Sequence, residues 1–190
     1  MKHKGKLIVI SAPSGSGKST VIRRLMQEGI PLEFSVSATS RPPREGEVDG
    51  RDYHFISEDE FRKRIDAGEF IEYEEVYPGR FYGTLRSEVD DRLLHGIHTV
   101  LDIDVQGAIR VKELYGDQAL TLFIQAPSPE VLRDRLLKRG TDSPSDIELR
   151  VSKAVHELSF APRFDVIVIN DDLDRACNDA KAHILDFLHS

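Results

Sequence analysis

Residues 11–20 read Ser11-Ala12-Pro13-Ser14-Gly15-Ser16-Gly17-Lys18-Ser19-Thr20, directly after the apolar run Leu7-Ile8-Val9-Ile10. A simple turn does not need two glycines, a lysine and two following hydroxyls in ten positions. Gly15 and Gly17 permit positive φ and close approach of the backbone, and Lys18-Ser19-Thr20 opens a segment with apolar residues at helical spacing, Val21, Ile22, Leu25 and Met26. A glycine-rich loop entering a helix gathers N–H groups around one point, and the helix dipole adds positive potential there. That arrangement fits a phosphate, with Lys18 on the β- and γ-phosphates and the Ser19 hydroxyl on Mg²⁺. The pattern G-x-x-x-x-G-K-[ST] calls for glycine at position 12, where this chain has Ala12. The replacement is harmless provided that position does not need positive φ.

Outward from the loop, apolar runs alternate with amphipathic stretches. Leu7–Ile10, Thr99–Val105, Leu120–Ile124 and Val166–Ile169 read as short buried strands. Ser128-Pro129 starts a helix carrying Val131, Leu132, Leu136 and Leu137. Ser145-Asp146-Ile147-Glu148 reads as a capping box, followed by Val151, Ala154, Val155 and Leu158. A last helix runs through Leu173, Cys177, Ala180, Ile184 and Leu188. Buried strands alternating with helices imply a parallel sheet covered on both faces, with ligands at the carboxyl ends of its strands.

Two segments depart from this rhythm. Residues 39–87 are richer in charge, glycine and tyrosine, with a hairpin turn expected at Asp49-Gly50 and a helix capped by Ser57, so they read as an inserted lobe with a small antiparallel sheet. Residues 138–146, Lys-Arg-Gly-Thr-Asp-Ser-Pro-Ser-Asp, read as a mobile loop between helices.

Composition narrows the class. A chain of 190 residues with 39% hydrophobic and 31% charged content suits one domain with inserted parts. Its net charge of −7 argues against a broad nucleic-acid surface, so any polyanion must meet a local cluster of cations. One cysteine, Cys177, precludes an internal disulfide and points to the cytoplasm. No run reaches transmembrane length, and Leu7–Ile10 is too short for a secretory leader. Neither membrane nor nucleic acid is an expected partner. His95, His98 and His183 sit in polar context and read as surface histidines.

A second anion site is legible in the lobe. Arg41 and Arg44 flank Pro42-Pro43, whose fixed φ stiffens the segment, with Ser37 before and Tyr53 after. Two guanidinium forks so placed suit a phosphate, although scattered arginines also occur in merely solvated loops. Further on, Glu72, Tyr82 and Thr84 share the lobe. A carboxylate is an acceptor and can take two hydrogen bonds from adjacent N–H groups, which guanine offers and adenine does not. Asp102 and Asp104, two apart, would lie on one face of a strand.

In order along residues 6–188, the loop at 11–20, Thr39-Ser-Arg-Pro-Pro-Arg-Glu-Gly-Glu-Val-Asp-Gly-Arg-Asp-Tyr-His-Phe-Ile56, Glu69-Phe-Ile-Glu72, Phe81-Tyr-Gly-Thr84, Leu101-Asp-Ile-Asp-Val-Gln-Gly107 and Val168-Ile-Asn-Asp-Asp-Leu173 resemble guanylate kinases. Ala12 stands where many members have glycine, and Thr84 where some have serine. The resemblance implies an α/β fold: a P-loop NTPase-type parallel sheet flanked by helices, with an inserted small mixed α+β GMP-binding lobe and a helical lid. It implies a single guanylate-kinase-like domain over 1–190, with a core of 1–38, 88–127 and 153–190, a lobe of 39–87 and a lid of 128–152. The implied reaction is ATP plus GMP giving ADP plus GDP, with Mg²⁺.

By the same resemblance, ATP would be held by Ala12, Pro13, Ser14, Gly15, Ser16, Gly17, Lys18, Ser19, Thr20, Arg135, Arg139 and Asn170, the last near adenine. Ser37, Arg41, Arg44, Tyr53 and Tyr82 would hold the GMP phosphate, and Glu72, Thr84 and Asp102 would read guanine. Lys18, Arg41, Arg135, Arg139 and Arg150 would be the catalytic cations, and Ser19 and Asp102 would serve Mg²⁺, partly through water. A monomer or weak homo-oligomer is expected. Two alternatives stay open at this point: a P-loop kinase acting on a sugar phosphate such as ribose 1,5-bisphosphate, and a catalytically silent guanylate-kinase-like binding module.

Overall fold

Leu7–Ser11 is buried at every position, as expected of a strand covered on both faces. It is the first strand of a computed structural model that describes residues 4–139 and 144–190, apart from the side chains of Arg139, Pro144 and Ser145. In chain order the elements are β1 (Leu7–Ser11), α1 (Lys18–Gln27), β2 (Glu33–Phe34), β3 (Ala38–Thr39), β4 (His54–Phe55), α2 (Glu58–Asp66), β5 (Phe70–Tyr77), β6 (Arg80–Leu85) and α3 (Arg86–Leu94). There follow β7 (Thr99–Asp102), α4 (Val105–Tyr115), β8 (Ala119–Gln125), α5 (Pro129–Arg139), α6 (Pro144–Leu158), β9 (Val166–Ile169) and α7 (Leu173–His189). One sheet has the strand order β2-β7-β1-β8-β9, and a second has the order β4-β3-β6-β5.

By compactness the chain divides into two units. One comprises Ile8–Pro31 and Asp102–Ser190. Within it β8 and β9 pair in parallel from Leu122 opposite Val166 to Gln125 opposite Ile169. Its helices bury one stripe each: Val21, Ile22 and Leu25 on α1, and Ala176, Cys177, Ala180 and Ile184 on α7. Burial pushes the Cys177 thiol up, as suits a small buried hydrophobe. Ala126, Leu132, Leu136, Ile147 and Ala154 pack α5 and α6 together. Leu137 and Val155, expected on those inner faces, are half exposed instead, because each stripe is narrower than the run of apolar residues.

The other unit comprises Leu32–Leu101 with the residues up to Leu7. Its core stacks Phe61 on Phe70 (centroids 4.3 Å apart) and on Phe81 (5.2 Å). Ser57 caps α2 by accepting from the Glu60 N–H (3.1 Å), as its sequence predicts. Gly83 lies where an added Cβ would come within 2.9 Å of the Phe70 ring and 2.8 Å of the Glu72 carbonyl oxygen. Only glycine lets β5 and β6 approach this closely at that point.

Six expectations need correction. The strand at 99–105 stops at Asp102, and Asp104 is instead the N-cap of α4, accepting from the Gly107 N–H at 2.8 Å. The two carboxylates therefore do not share a strand face. Strand β9 lies at a sheet edge, with Ile167 and Ile169 exposed. The lobe's sheet is mixed, β3 running parallel to β4 and antiparallel to β6. Its hairpin is β5–β6, which turns at Pro78-Gly79. Asp49-Gly50 makes a local loop closed by the Gly50 N–H on the Tyr53 carbonyl and the Phe55 N–H on the Asp49 carboxylate, both 2.8 Å. Lys138 and Arg139 are helical, and α6 begins at Pro144, so Ser145 lies inside the first turn; residues 140–143 of the expected loop lie outside the described residues. His98 is no surface histidine: its Nδ1 accepts from the Lys6 N–H (3.0 Å), and burial lowers its pKa.

Candidate functional site

At the carboxyl end of β1 the chain enters the glycine-rich loop. Gly15 (φ 87°) and Gly17 (φ 93°) take the left-handed conformation, while no other residue type does so among those described. Ala12 therefore carries no strain, and the departure from the motif at this position is harmless. Gly17 is the N-cap of α1; no side chain caps the helix and no acid occupies its first turn. The dipole of α1 and the N–H groups of Lys18 and Ser19 are thus met by no side-chain cap.

Other elements hold the loop in place. Asn170, buried just beyond β9, donates through Nδ2 to the Ser16 carbonyl (2.7 Å). Arg135 of α5 donates through Nη2 to the Asn170 carbonyl (2.7 Å) and, more weakly, through Nη1 to Ser16 O (3.4 Å). Leu132 and Leu136 close over Gly15, where an added Cβ would lie 3.2 Å from Leu136. The Ser11 and Ser16 hydroxyls are buried without a partner among the described residues.

Lys18 is held at its tip. Its Nζ lies 2.6 Å from Asp102 Oδ1 and donates to the Ile103 carbonyl at 3.3 Å. Pro13 lends its carbonyl to the Ser16 N–H (3.1 Å), and Thr20 N–H returns to Gly17 O (3.0 Å). Ser19 and Thr20 are exposed. Glu157, near the end of α6, lies close enough to the loop for the Ser14 N–H to act on its charge. Burial raises its pKa; Lys153 opposes that, Asp104 adds to it, and Lys18 and the Ser14 N–H oppose it further. Glu157 carries no sequence signal, being one acid among many on a helix; only the fold brings it to the loop. Arg150 is half-buried on α6, and Arg139 ends α5 with its side chain outside the described residues.

The lobe unit carries a second cluster. Arg41 is 6% exposed; its Nε donates to the Tyr82 hydroxyl (3.1 Å) and its guanidinium lies 5.0 Å from the centre of the Tyr53 ring. Tyr53 and Tyr82 meet edge-on at 5.9 Å. Arg44 and Ser37 lie on the same segment, with Arg44 exposed and Ser37 half-buried. On the β5–β6 ladder Glu72 faces Thr84, whose buried hydroxyl donates to Glu72 Oε1 at 2.6 Å. This contact fixes the rotamer of the carboxylate.

A family model for guanylate kinase matches residues 4–186. The chain belongs to the guanylate kinase family. It is 55% identical to a guanylate kinase of Bacteroides fragilis over 182 residues, 96% of this chain and 87% of that one. It is 51% identical to a guanylate kinase of Bacteroides thetaiotaomicron over 185 residues, 97% and 91% of the two chains. The crystal structure of guanylate kinase from Anaplasma phagocytophilum has the same fold, at TM-score 0.75 and 31% identity over all of this chain and 89% of that one.

Set beside its sequence reading, this guanylate kinase family member joins Lys18, Asp102, Arg135 and Asn170 around one loop, and Arg41, Tyr53 and Tyr82 around another. Sequence reading missed Glu47, whose carboxylate takes Arg41 at 2.6 and 2.7 Å. Burial pulls the Arg41 pKa down, but the hydrogen bond to Glu47 outweighs it and raises the value overall. The same hydrogen bond brings Glu47 down to about 2. Its signal was its place three residues beyond Arg44 in an arginine-rich loop. Among the described residues no helix is long and apolar enough to cross a membrane, and no cluster of three His, Cys, Asp or Glu side chains is built for a metal.

Proposed function

We propose that the chain transfers the γ-phosphoryl group of ATP to GMP, giving ADP and GDP, with ATP on the loop at 11–20 and GMP on the lobe. The base assignment is carried by the Glu72–Thr84 pair, a carboxylate pinned on one oxygen. Guanine presents two adjacent N–H donors to such an acceptor, whereas adenine presents no matching pair. Asp102 would join this recognition. Ser37, Arg44, Tyr53, Tyr82 and Arg41 would take the GMP phosphate.

The chain's own residues then act by position and charge. A GMP phosphate oxygen is already an anionic nucleophile, so the step needs no general base. The histidines suit that reading: His95 and His183 are exposed, and His98 is engaged by the Lys6 N–H. Lys18 would leave Asp102 for the transferring phosphoryl group, with Arg135, Arg139 and Arg150 of the lid adding positive charge. Hard oxygen donors, the exposed Ser19 hydroxyl and the Asp102 carboxylate, fit a Mg²⁺ that arrives with the nucleotide and keeps several waters. When bound, that ion would neutralise charge on the phosphates. We place the core at 1–38, 88–127 and 153–190, the GMP lobe at 39–87 and the lid at 128–152, in a cytoplasmic monomer or weak homo-oligomer.

The test is ADP formation from Mg-ATP with GMP, AMP, CMP, UMP and ribose 1,5-bisphosphate as separate acceptors. Turnover with GMP is expected. Turnover with the sugar phosphate instead would discard the role of Glu72, and GMP binding without turnover would make the chain a binding module.

A further inference from the structure

Arginine has five N–H donors, and the surroundings of Arg41 consume four of them. Nε donates to Tyr82 Oη (3.1 Å), Nη1 to the Pro42 carbonyl (3.0 Å) and to Glu47 Oε2 (2.6 Å), and Nη2 to Glu47 Oε1 (2.7 Å). One Nη2 proton remains. The fork that would ordinarily clasp a phosphate is therefore spent on Glu47, and its positive charge is largely cancelled there. Glu47 does more than pair with Arg41. The same carboxylate accepts from the Arg44 N–H (2.7 Å), and the Glu47 N–H returns to the Arg44 carbonyl (3.1 Å). One side chain thus ties the buried Arg41 to the backbone that presents the exposed Arg44. The guanidinium of Arg44 donates no hydrogen bond among the described residues, and neither do the hydroxyls of Ser37 and Tyr53.

We propose that Glu47 is a positioning residue for the GMP phosphate, acting by locking Arg41 and setting the backbone of Arg44, so that Arg44 with the Ser37, Tyr53 and Tyr82 hydroxyls takes the phosphate while Arg41 adds one N–H and orders the tyrosines. The inference rests on the reading of this lobe as the GMP site. The opposite arrangement, a carboxylate holding the place of an absent phosphate, would leave Arg41 and Glu47 exposed to the entering ligand. Instead the Arg41 side chain is 7% exposed, Glu47 21%, and the guanidinium is walled by the Tyr53 and Phe55 rings (5.0 and 5.6 Å). The carboxyl of Glu47, at about 2, stays ionised across the working range of pH, so the lock does not open by protonation.

The test compares a ligand with the phosphate to one without it. In Glu47→Gln, affinity for GMP should fall about tenfold to a hundredfold, the effect of losing a hydrogen bond to a charged group. Inhibition by guanosine and the KM for Mg-ATP should be unchanged. In an Arg41→Ala background the same substitution should cost clearly less than it does alone, because only the Arg44 N–H contact of Glu47 is then left to lose. Equal or tighter GMP binding by Glu47→Gln would overturn the proposal, and so would parallel loss of GMP and guanosine affinity, which marks general damage to the lobe. Should Glu47→Gln not fold, Glu47→Asp, which keeps the charge but cannot span both partners, is read in the same way. Failure of the unaltered chain to bind GMP would overturn the lobe assignment itself, whereas normal GMP binding with an indifferent Glu47→Gln overturns only the role of Glu47.

Discussion

Gly17→Ala should damage the chain by two separable routes. At φ 93° a Cβ is strained wherever it points, a cost of roughly 1–2 kcal/mol. Here it also points at Asn170, with Nδ2 only 2.4 Å away. Asn170 must swing out and give up its 2.7 Å bond to the Ser16 carbonyl, leaving buried polar groups unmatched at about 1–3 kcal/mol. The sum is about 2–5 kcal/mol, a large fraction of the ~5–15 kcal/mol that holds a typical protein folded. Gly29→Ala is the control, because φ is 71° there and no atom lies within 4 Å of the added Cβ. It should lose only the conformational part, about 1–2 kcal/mol. Urea unfolding of both variants, with m compared between them, measures the difference. Adding Asn170→Ala to Gly17→Ala should then cost far less than Asn170→Ala costs alone, since the contact is already gone. Equal destabilisation of the two glycine variants would refute the reasoning, for it would mean that the loop gives way without disturbing Asn170.

Lys18→Ala should abolish ADP formation yet lower stability by under ~1 kcal/mol, because Asp102, its ion-pair partner, is 35% exposed and stays hydrated; turnover and thermal melting read both, and near-normal turnover would reject the loop assignment. Glu72→Gln should erode a preference for GMP over AMP that a pinned carboxylate can set at ~10⁴-fold or more, and an unchanged ratio of kcat/KM values would remove Glu72 from base recognition. Glu157 has a folded pKa raised above its unfolded value by burial, so the folded chain holds the proton more tightly and stability falls as pH rises from the unfolded value toward the folded one. Glu157→Gln should remove that fall, seen as a flatter pH profile of unfolding free energy for the variant across mildly acid to neutral pH, and equal slopes for the two chains would refute it.

The loop at 11–20 was legible because its constraint is local: two left-handed backbones and a helix start leave a signature in ten consecutive residues. The Ser57 cap and the buried stripes of α1 and α7 were legible for the same reason. Asp104 was misread because strand alternation and helix capping use the same residue type, and only the Gly107 N–H at 2.8 Å decides between them. Strand β9 looked buried because an apolar run does not say whether a neighbour covers it, and nothing in Val166–Ile169 marks a sheet edge. Glu47 and Glu157 were missed because their partners are a side chain and a backbone N–H that the fold delivers. Periodicity sees faces; it does not see which acid meets which donor.

Lys18 and Arg41 show why the same kind of pairing has different consequences. Each is a cation at a proposed anion site, and each is paired with a carboxylate. The Lys18–Asp102 pair is a single contact with side chains 22% and 35% exposed, and such a pair is worth only ~0–1 kcal/mol. An entering phosphate with several negative oxygens would therefore win the lysine at little cost and release Asp102 to water or to a ligand donor. The Arg41–Glu47 pair has two charge-assisted bonds, a third from the Arg44 N–H, and an arginine 7% exposed. Parting these two would strand a buried guanidinium without its counter-charge, which is far more costly than parting an exposed pair. Lys18 is thus poised to exchange partners, while Arg41 is fixed and lends its shape. A flexible lysine suits the group that moves between nucleotides, and a locked arginine suits the phosphate that must stay still while its oxygen attacks.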